Sequence, residues 1–410
     1  MIRKTLLVLA ALTAGGLVGG CEQQPTGLST DVLPPPTWPT AVDMSWPESA
    51  SPRLVDAPAD LADAPPMAGV AAVGPGALLG PVDNLGRFRG QPSAQAQTLE
   101  PAQQHSFSDI GVDVDPDVDA SGQWIVFTST RHNIAGDLYL KRVDGVTVTQ
   151  LTSDSATDVQ PAFSPSGRQI AFTSDAGGNW DIWLIDIDGR NRIRLTDSPA
   201  PEIAPAWSPD GRRLAYCVFG QRSHAWEIWV MDLSRPGART FLGYGLFPAW
   251  SPDRKVDRIA FQRARQRGDN DFSIWTVDLI DGEPRYPTEV VPAVRDSGWA
   301  AICPFFSHDG KRLCFTEIRI AGDAAGQIDH ASAIAVIDAD GTNRQRLTEA
   351  RGLNANPSWS ADGKIYFTSD RQGRESIFSI TPTAATPAQR ALANAVLANQ
   401  PATATVPVAP

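Results

Sequence analysis

The sequence has few of the residues that usually build catalytic or metal centres. Its 410 residues include four cysteines and five histidines, and neither type shows the spacing of a metal site. It contains no H-E-x-x-H motif, no P-loop and no G-x-S-x-G nucleophile elbow. We therefore expect no catalytic residue and no cofactor. Sites that converge from distant segments leave no linear motif, so the sequence leaves open whether the protein binds a metal ion.

Positive charge is also scarce. The chain has 35 Lys and Arg against 46 Asp and Glu, which gives a net charge of -11. Proteins that bind nucleic acid need clustered basic residues, and no basic stripe occurs here. We expect no nucleic-acid partner.

No apolar run is long enough to span a bilayer, which takes about 20 residues. The longest one, 5–17, follows Arg3 and Lys4 and precedes small residues that end in Cys21. This order is typical of a secretory signal, and its end resembles a bacterial lipobox. The resemblance implies a signal peptide over 1–20 and a lipid on Cys21; the alternative is an ordinary signal with an incidental cysteine. Because Glu22 rather than Asp follows, we expect an outer-membrane lipoprotein that faces the periplasm or the cell surface.

Two segments lack the periodicity of packed elements. Residues 21–105 are rich in Pro, Ala and Gly and predict a disordered tether. Residues 383–410 are rich in Ala and Pro and predict a tail that is mostly disordered, although 389–392 could supply an outer strand to the preceding domain.

Between these segments lies a sixfold internal repeat. Each copy carries a proline, then an aromatic or Val two residues later, then a polar turn, and the prolines are Pro116, Pro161, Pro205, Pro248, Pro304 and Pro357. In the second copy, Phe163 leads into a Ser-Pro-Ser-Gly turn, and strands are predicted over 170–173, 181–185 and 192–196. Four strands per copy and six copies predict an all-β, six-bladed β-propeller over 106–382.

The repeat phrases carry a family resemblance. Trp207-Ser208-Pro209-Asp210-Gly211 and Ile185-Asp186-Ile187-Asp188-Gly189 resemble the WD-like propeller repeat of the TolB family. The resemblance implies a monomeric six-bladed propeller that acts as a protein interaction module. The α/β domain that precedes the propeller in TolB has no counterpart here, so the partner does not follow from it.

Cys303 and Cys314 flank the hairpin of the fifth repeat. If the turn over 307–310 is a four-residue loop, the two cysteines lie opposite each other and a disulfide is possible. The alternative is a buried free thiol, because Cys314 occupies the position of Ala171 and Ala215 in other repeats.

A second set of residues stands three positions before the repeat prolines, and we call it the upstream ring. Its polar members are Asp113, Asp158, Glu202 and Asn354. If they face the channel mouth, they form a candidate site for a cation or a cationic partner segment. The alternative is that they cap loops by accepting backbone N–H bonds.

An insertion in the fourth repeat carries a basic cluster. Arg263, Arg265 and Arg267 predict either a loop that contacts an anionic partner or a solvated surface loop.

These features suggest a lipid-anchored, non-catalytic propeller that binds an envelope or cell-surface protein. The alternative is a propeller that binds polysaccharide, or degrades it with a metal ion, at the channel mouth. Fold resemblance does not choose between them.

Overall fold

The computed structural model describes residues 102–264, 272–292, 299–319 and 331–382. Every regular element in these ranges is a β-strand. The described residues include no helix with the length and apolar character needed to cross a membrane. The predictions for Cys21, the signal peptide, most of the tether and the tail concern residues outside the described ranges.

The strands form six four-stranded sheets, which are the blades of a propeller. The first strand is β1 (Gln103–Gln104). Blade 1 contains β2 (Asp113–Val118), β3 (Trp124–Ser129), β4 (Asp137–Arg142) and β5 (Val148–Gln150). Blade 2 contains β6 (Asp158–Phe163), β7 (Gln169–Ser174), β8 (Asp181–Asp186) and β9 (Ile193–Arg194). Blade 3 contains β10 (Glu202–Trp207), β11 (Arg213–Gly220), β12 (Ala225–Asp232) and β13 (Arg235–Tyr244).

Blade 4 contains β14 (Leu246–Trp250), β15 (Arg258–Ala264), β16 (Phe272–Ile280) and β17 (Glu283–Val291). Blade 5 contains β18 (Trp299–Phe306), β19 (Arg312–Arg319), β20 (Ser332–Asp338) and β21 (Gln345–Arg346). Blade 6 contains β22 (Asn354–Trp359), β23 (Ile365–Ser369) and β24 (Ser376–Ile380), with β1 as its fourth strand. The expected all-β, six-bladed propeller is confirmed.

The first two strands of each blade are joined by a tight turn, and blade 3 shows why the sequence turns there. Gly211 has a φ of +70°, which a residue without a Cβ adopts at little cost. Its N–H donates to the Ser208 carbonyl over 2.9 Å, and the Asp210 carboxylate accepts from the Arg212 N–H over 3.0 Å. The turn thus satisfies its own polar groups at the exposed end of the blade.

The core lies between the blades. Each pair of neighbouring blades shares one cluster of buried apolar side chains, including the pair formed by blades 6 and 1. The second strand of every blade contributes one buried aromatic to the interface with the preceding blade: Phe127, Phe172, Tyr216, Phe261, Phe315 and Phe367. One blade cannot bury both of its apolar faces, so burial requires the complete ring.

The ring is closed by the N-terminal end of the described chain. In β1, Gln103 pairs with Ser379 and Gln104 pairs with Phe378 of β24, in antiparallel register. The closing strand begins at Gln103, inside the segment predicted as tether, whereas the alternative segment 389–392 lies outside the described residues.

Candidate functional site

The upstream ring does not open into the channel. Asp113, Asp158 and Glu202 are fully buried, and Asn354 is nearly so. Each is bound by an arginine: Arg131 contacts Asp113 over 2.8 Å, Arg192 contacts Asp158 over 2.8 Å, Arg239 contacts Glu202 over 3.1 Å, and Arg371 donates to Asn354 over 2.8 Å. The structure therefore corrects the expectation that these four residues form a binding site at the channel mouth.

The arginines explain why these residues are polar. Each guanidinium also lies over the aromatic ring of the second strand in its blade, for example 5.6 Å from the Phe127 centroid and 5.1 Å from the Phe367 centroid. In blade 5 the equivalent position, three residues before the repeat proline, is Ala301, and Glu317 supplies the carboxylate for Arg344 instead. The upstream ring is a set of structural pairs that fix arginines against the blades.

The predicted basic loop is only partly described. Arg263 is not in a loop, because it lies in β15 with its guanidinium 5.1 Å from the centroid of Trp275. Burial lowers its pKa from the ordinary value, and Glu289 opposes that shift. Arg265 and Arg267 lie outside the described residues.

The three cysteines that the structure describes are not disulfide-bonded. Cys217, Cys303 and Cys314 are all buried free thiols. Cys314 pairs with Phe305 across the hairpin, because Phe306 pairs with Leu313 and a register shift separates Ile302 from Phe305. The four-residue loop assumed from the sequence was wrong, and Cys303 lies in the shifted part of the strand.

The register shift recurs in the inner strand of all six blades. In each blade the shift includes the residue immediately before the repeat proline, and the φ of that preceding residue is positive. These six residues, which we call the floor ring, are Asp115, Gln160, Ala204, Phe247, Cys303 and Asn356, with φ values of 53°, 54°, 56°, 51°, 50° and 52°. Positive φ is uncommon for residues other than glycine, and bulges of this kind re-aim side chains.

The neighbouring blade satisfies the bulged backbone. The N–H of Asp115 donates to Thr368 Oγ1 over 3.2 Å, and that of Ala204 donates to Thr173 Oγ1 over 3.0 Å. The N–H of Cys303 donates to Gln262 Oε1 over 2.8 Å. Each acceptor follows the buried aromatic of the second strand in the preceding blade. The floor ring is therefore locked by contacts between blades.

The floor ring forms the inner end of a cavity of about 540 Å³ on the propeller axis. Residues that precede it in the inner strands do not line the cavity. Its walls carry the six repeat prolines and the aromatics Phe163, Trp207, Trp250, Phe306 and Trp359. Its mouth is formed by the hairpin turns, including exposed Arg254, His308 and Ala361. We call this cavity the funnel.

Blade 1 gives the funnel three carboxylates in one line. Asp115 and Asp117 in β2 and Asp119 directly after it all line the cavity. Asp117 accepts from the Phe163 N–H over 2.7 Å and from Ser358 Oγ over 2.8 Å. Asp119 accepts from the N–H groups of Gln123 and Trp124, each over 2.8 Å. These two carboxylates therefore have structural partners.

Asp115 is different from the other two. One carboxylate oxygen accepts from the Asn356 amide, and Oδ2 is buried without a hydrogen-bond partner. Burial raises the pKa of Asp115 to about 6, against the lowering effect of hydrogen bonds from Asn356 and the Gln160 backbone. Burial likewise raises the pKa of Asp117 to about 6. A carboxyl in a cavity whose pKa is raised by burial is a candidate for a functional site.

The floor ring has two chemically distinct halves. Asn356, Asp115 and Gln160 belong to consecutive blades 6, 1 and 2 and are polar, whereas Ala204, Phe247 and Cys303 belong to blades 3, 4 and 5 and are less polar. Burial raises the pKa of the Cys303 thiol, and the Asp115 charge raises it further, so Cys303 behaves as a neutral thiol. The funnel therefore ends on a surface that is acidic on one side and apolar on the other.

Sequence reasoning missed this ring although its signal was present. The prolines and the residues three before them were compared across the repeats, but the residue directly before each proline was not. A residue before proline normally favours extended backbone, so a positive φ there is unexpected. Among the described residues, no group of three or more His, Cys, Asp or Glu side chains could hold a metal ion.

Comparison with known proteins agrees with this architecture. Residues 179–405 match the family of the tricorn protease N-terminal beta propeller domain, and this range is more than half of the chain. The chain belongs to that family. Residues 120–228 of this tricorn-type propeller also match the N-terminal region of dipeptidyl peptidase IV.

Individual relatives cover less of the chain or are more distant. A protein TolB homolog from Chlorobium luteolum is 31% identical over 90 residues, which is 22% of this chain and 20% of that protein, so the match spans about a fifth of the relative. A putative TolB structure from Agrobacterium tumefaciens is 22% identical, covers 67% of this chain and 91% of that chain, and has a TM-score of 0.49. The TolB structure from Acinetobacter baumannii is 18% identical, covers 64% of each chain and has a TM-score of 0.48. The tricorn-type propeller described here is a TolB-like six-bladed β-propeller.

Proposed function

We propose that this chain is a lipid-anchored envelope protein that binds a segment of a partner protein in the funnel and performs no chemistry on it. The observation that carries the proposal is the funnel itself. It joins an exposed mouth of hairpin turns to a buried floor, and prolines and aromatics line its wall. Its volume lies within the range of about 300 to 1,000 Å³ that is typical of ligand pockets.

The shape of the funnel favours a chain segment over a folded domain. A cavity of about 540 Å³ holds a few side chains, and it ends at the floor ring. Rigid walls of proline and packed aromatic rings lose little conformational entropy when a segment enters. The surrounding hairpin turns provide a rim that contacts the rest of the partner.

The proposed location rests on the N-terminal sequence. A signal with Cys21 at its end provides a lipid anchor, and the following segment up to the propeller separates it from the membrane surface. Glu22 favours the outer membrane, and the propeller then faces the periplasm or the cell surface as a monomer. The partner is an envelope or cell-surface protein that reaches the funnel.

Site-specific photo-crosslinking in the native bacterium tests this function. A photoreactive residue at Ala361, which is exposed at the mouth, is compared with one at Val146, which is 90% exposed and outside the funnel. We expect one dominant envelope protein to be captured from position 361 and not from position 146. The double change Ala120→Trp and Ala361→Trp, at two exposed mouth positions, should compete with the partner and abolish capture from a reporter placed at His308.

A matched Val146→Trp variant controls for added surface tryptophan. Capture that is equal from both positions, or unaffected by the two mouth tryptophans, would contradict a funnel-bound partner. Turnover of an envelope polysaccharide that the mouth tryptophans inhibit would replace this function with the polysaccharide alternative.

A further inference from the structure

We propose that the floor of the funnel binds a cationic side chain of the inserted segment, with Asp115 as its counter-ion. The inference rests on the proposed function and adds the chemistry of the partner residue that reaches the floor. That residue is a lysine or an arginine, because the ammonium and guanidinium groups are both cationic hydrogen-bond donors. The contacts of Asp115, the charges around it and the shape of the floor support this assignment.

The first support is the incomplete set of partners of Asp115. The side chain is more than nine-tenths buried and lines the funnel. Asn356 donates to one carboxylate oxygen and the Gln160 backbone also hydrogen-bonds to the carboxylate, while Oδ2 has no partner among the described residues. Buried carboxylates are usually paired, because removal from water penalises the charge. A ligand at the floor that donates to the Asp115 carboxylate completes the site.

The second support is the absence of a protein cation near this carboxylate. In the described lining of the funnel, the only Arg or Lys is Arg254, which lies on the hairpin of blade 4. Its guanidinium is exposed and donates to the Pro209 carbonyl over 3.3 Å. By contrast, Asp113, Asp158 and Glu202 of the upstream ring each have an arginine of their own. None of the described residues that line the funnel supplies a cation to Asp115.

The third support is the apolar half of the floor. Blade 4 lies opposite blade 1 in a ring of six, so Phe247 faces the acidic side across the axis. Lysine and arginine carry a charged end on a long apolar stem, and the stem packs on apolar surface while the charge finds a partner. A small inorganic cation would leave this half of the floor unused.

The line of carboxylates on blade 1 favours the same ligand. Asp117 and Asp119 already accept backbone N–H groups, so they have less capacity to bind a ligand directly. Their charges nevertheless give the wall a negative potential between the mouth and the floor. In a narrow cleft, charge of one sign raises the local concentration of an oppositely charged ligand.

Binding of defined peptides to the full chain tests the inference. The probes are acetylated and amidated peptides of the form Gly-Ala-X-Ala-Gly, where X is lysine, arginine or norleucine, and affinity is measured by calorimetry. Norleucine has the lysine stem without the charge. We expect lysine or arginine to bind about tenfold more tightly than norleucine, as a charge-assisted hydrogen bond in a buried site predicts.

Two matched variants assign the effect to the floor. Asp115→Asn keeps the side-chain shape and should remove the preference for the cation, whereas Asp109→Asn removes an exposed charge outside the funnel and should leave it intact. A thermal unfolding curve of each variant shows that the fold is retained. Equal affinity for lysine and norleucine, no binding of any of the peptides, or a preference that survives Asp115→Asn would overturn the inference.

The inference and the proposed function fail in different ways. If a partner is still captured at the mouth from the Asp115→Asn chain at the wild-type level, the cationic residue is wrong and the function stands. If nothing is captured at the mouth while the lysine peptide binds in an Asp115-dependent way, the cation site stands and the protein partner is wrong. An unacetylated norleucine peptide that binds as well as the lysine peptide would assign the floor to a chain terminus and overturn the side-chain assignment.

Discussion

At the scale of single residues, burial decides how the acidic side chains of the inner strands behave. Asp113, Asp158 and Glu202 were predicted at the mouth because their spacing is regular, but spacing does not report direction. The bulge beside each proline turns the next residues toward the axis, and it depends on a positive φ that ordinary residue preferences do not predict. Asp115 therefore lines the cavity in which the sequence predicted a binding role for Asp113, two positions earlier.

The raised pKa values of Asp115 and Asp117 predict that ionisation of these two buried carboxyls destabilises the fold. The pKa of Asp115 is raised from 3.8 to about 6, and so is that of Asp117. Between these pH values the folded state binds more protons than the unfolded state, so the free energy of unfolding falls as pH rises from about 4 to about 6. Asp115→Asn should raise the free energy of unfolding at pH 8 by on the order of 1 to 3 kcal/mol.

Urea unfolding at pH 4 and pH 8 measures this effect. The gain from Asp115→Asn should be present at pH 8 and largely absent at pH 4, where the wild-type carboxyl is protonated. Asp109→Asn provides an exposed control and should change stability little at either pH. A lower stability of Asp115→Asn at pH 8 would mean that the carboxylate is structural.

At the scale of elements, a strand of two residues closes the ring. The two residues of β1 are reinforced by the residues that follow, because the His105 N–H donates to the Ile377 carbonyl over 2.8 Å. The His105 ring contacts Ser379 Oγ over 2.8 Å, and Lys141 of blade 1 donates to the His105 carbonyl over 2.5 Å. Hydrophobic periodicity cannot detect so short a strand, which is why the sequence assigned it to the tether.

His105 should make this closure sensitive to acid. Burial lowers its pKa from 6.5 to about 4, so the unfolded state binds more protons between these values. Its contribution to stability is complete above pH 6.5 and is lost as pH falls toward 4. Replacement His105→Ala should cost about 1 to 3 kcal/mol at pH 7.5 through lost hydrogen bonds and less at pH 4.5.

Hydrogen exchange locates this effect. Relative to the wild-type chain, His105→Ala should accelerate exchange of the β24 amides more than that of the β15 amides in blade 4, because the lost hydrogen bonds lie at the closure. The exposed His308→Ala is the matched control. Equal acceleration in both strands would show a general loss of stability and not an open seam.

At the scale of the whole molecule, the sequence was a reliable guide because six copies repeat the same pattern. Chance matches at one position do not recur in register, so the repeat prolines, the aromatic or Val residues after them and the polar turns together indicated blades. The funnel could not be found in the same way. It forms where six distant segments meet, and its chemistry comes from positions at which the copies differ.

Truncation should separate the propeller from its N-terminal extension. A chain that lacks 22–100 keeps β1, and its stability should stay within about 0.5 kcal/mol of the full chain. A chain that lacks 22–106 also loses β1, His105 and Ser106, whose hydroxyl accepts from the Ile377 N–H over 2.9 Å. Its melting temperature should fall by several degrees, since about 1 kcal/mol corresponds to roughly 2 to 4 °C in a domain of this size.

Differential scanning calorimetry of the two truncated chains checks this boundary. Equal melting temperatures for the two would show that β1 contributes nothing to closure. A large loss already in the chain without 22–100 would place part of the folded domain before β1.

The pairing of Gln103 with Ser379 also sets an order of events when the chain folds from its N-terminus. If the protein is exported as proposed, the first partner leaves the export channel long before the second, and blades 1 to 5 can associate side by side as they emerge. Until β24 has emerged, the protein is an open arc with two uncovered apolar faces, which other chains or chaperones can bind. The final residues of the last blade therefore end the period in which this protein is vulnerable to aggregation.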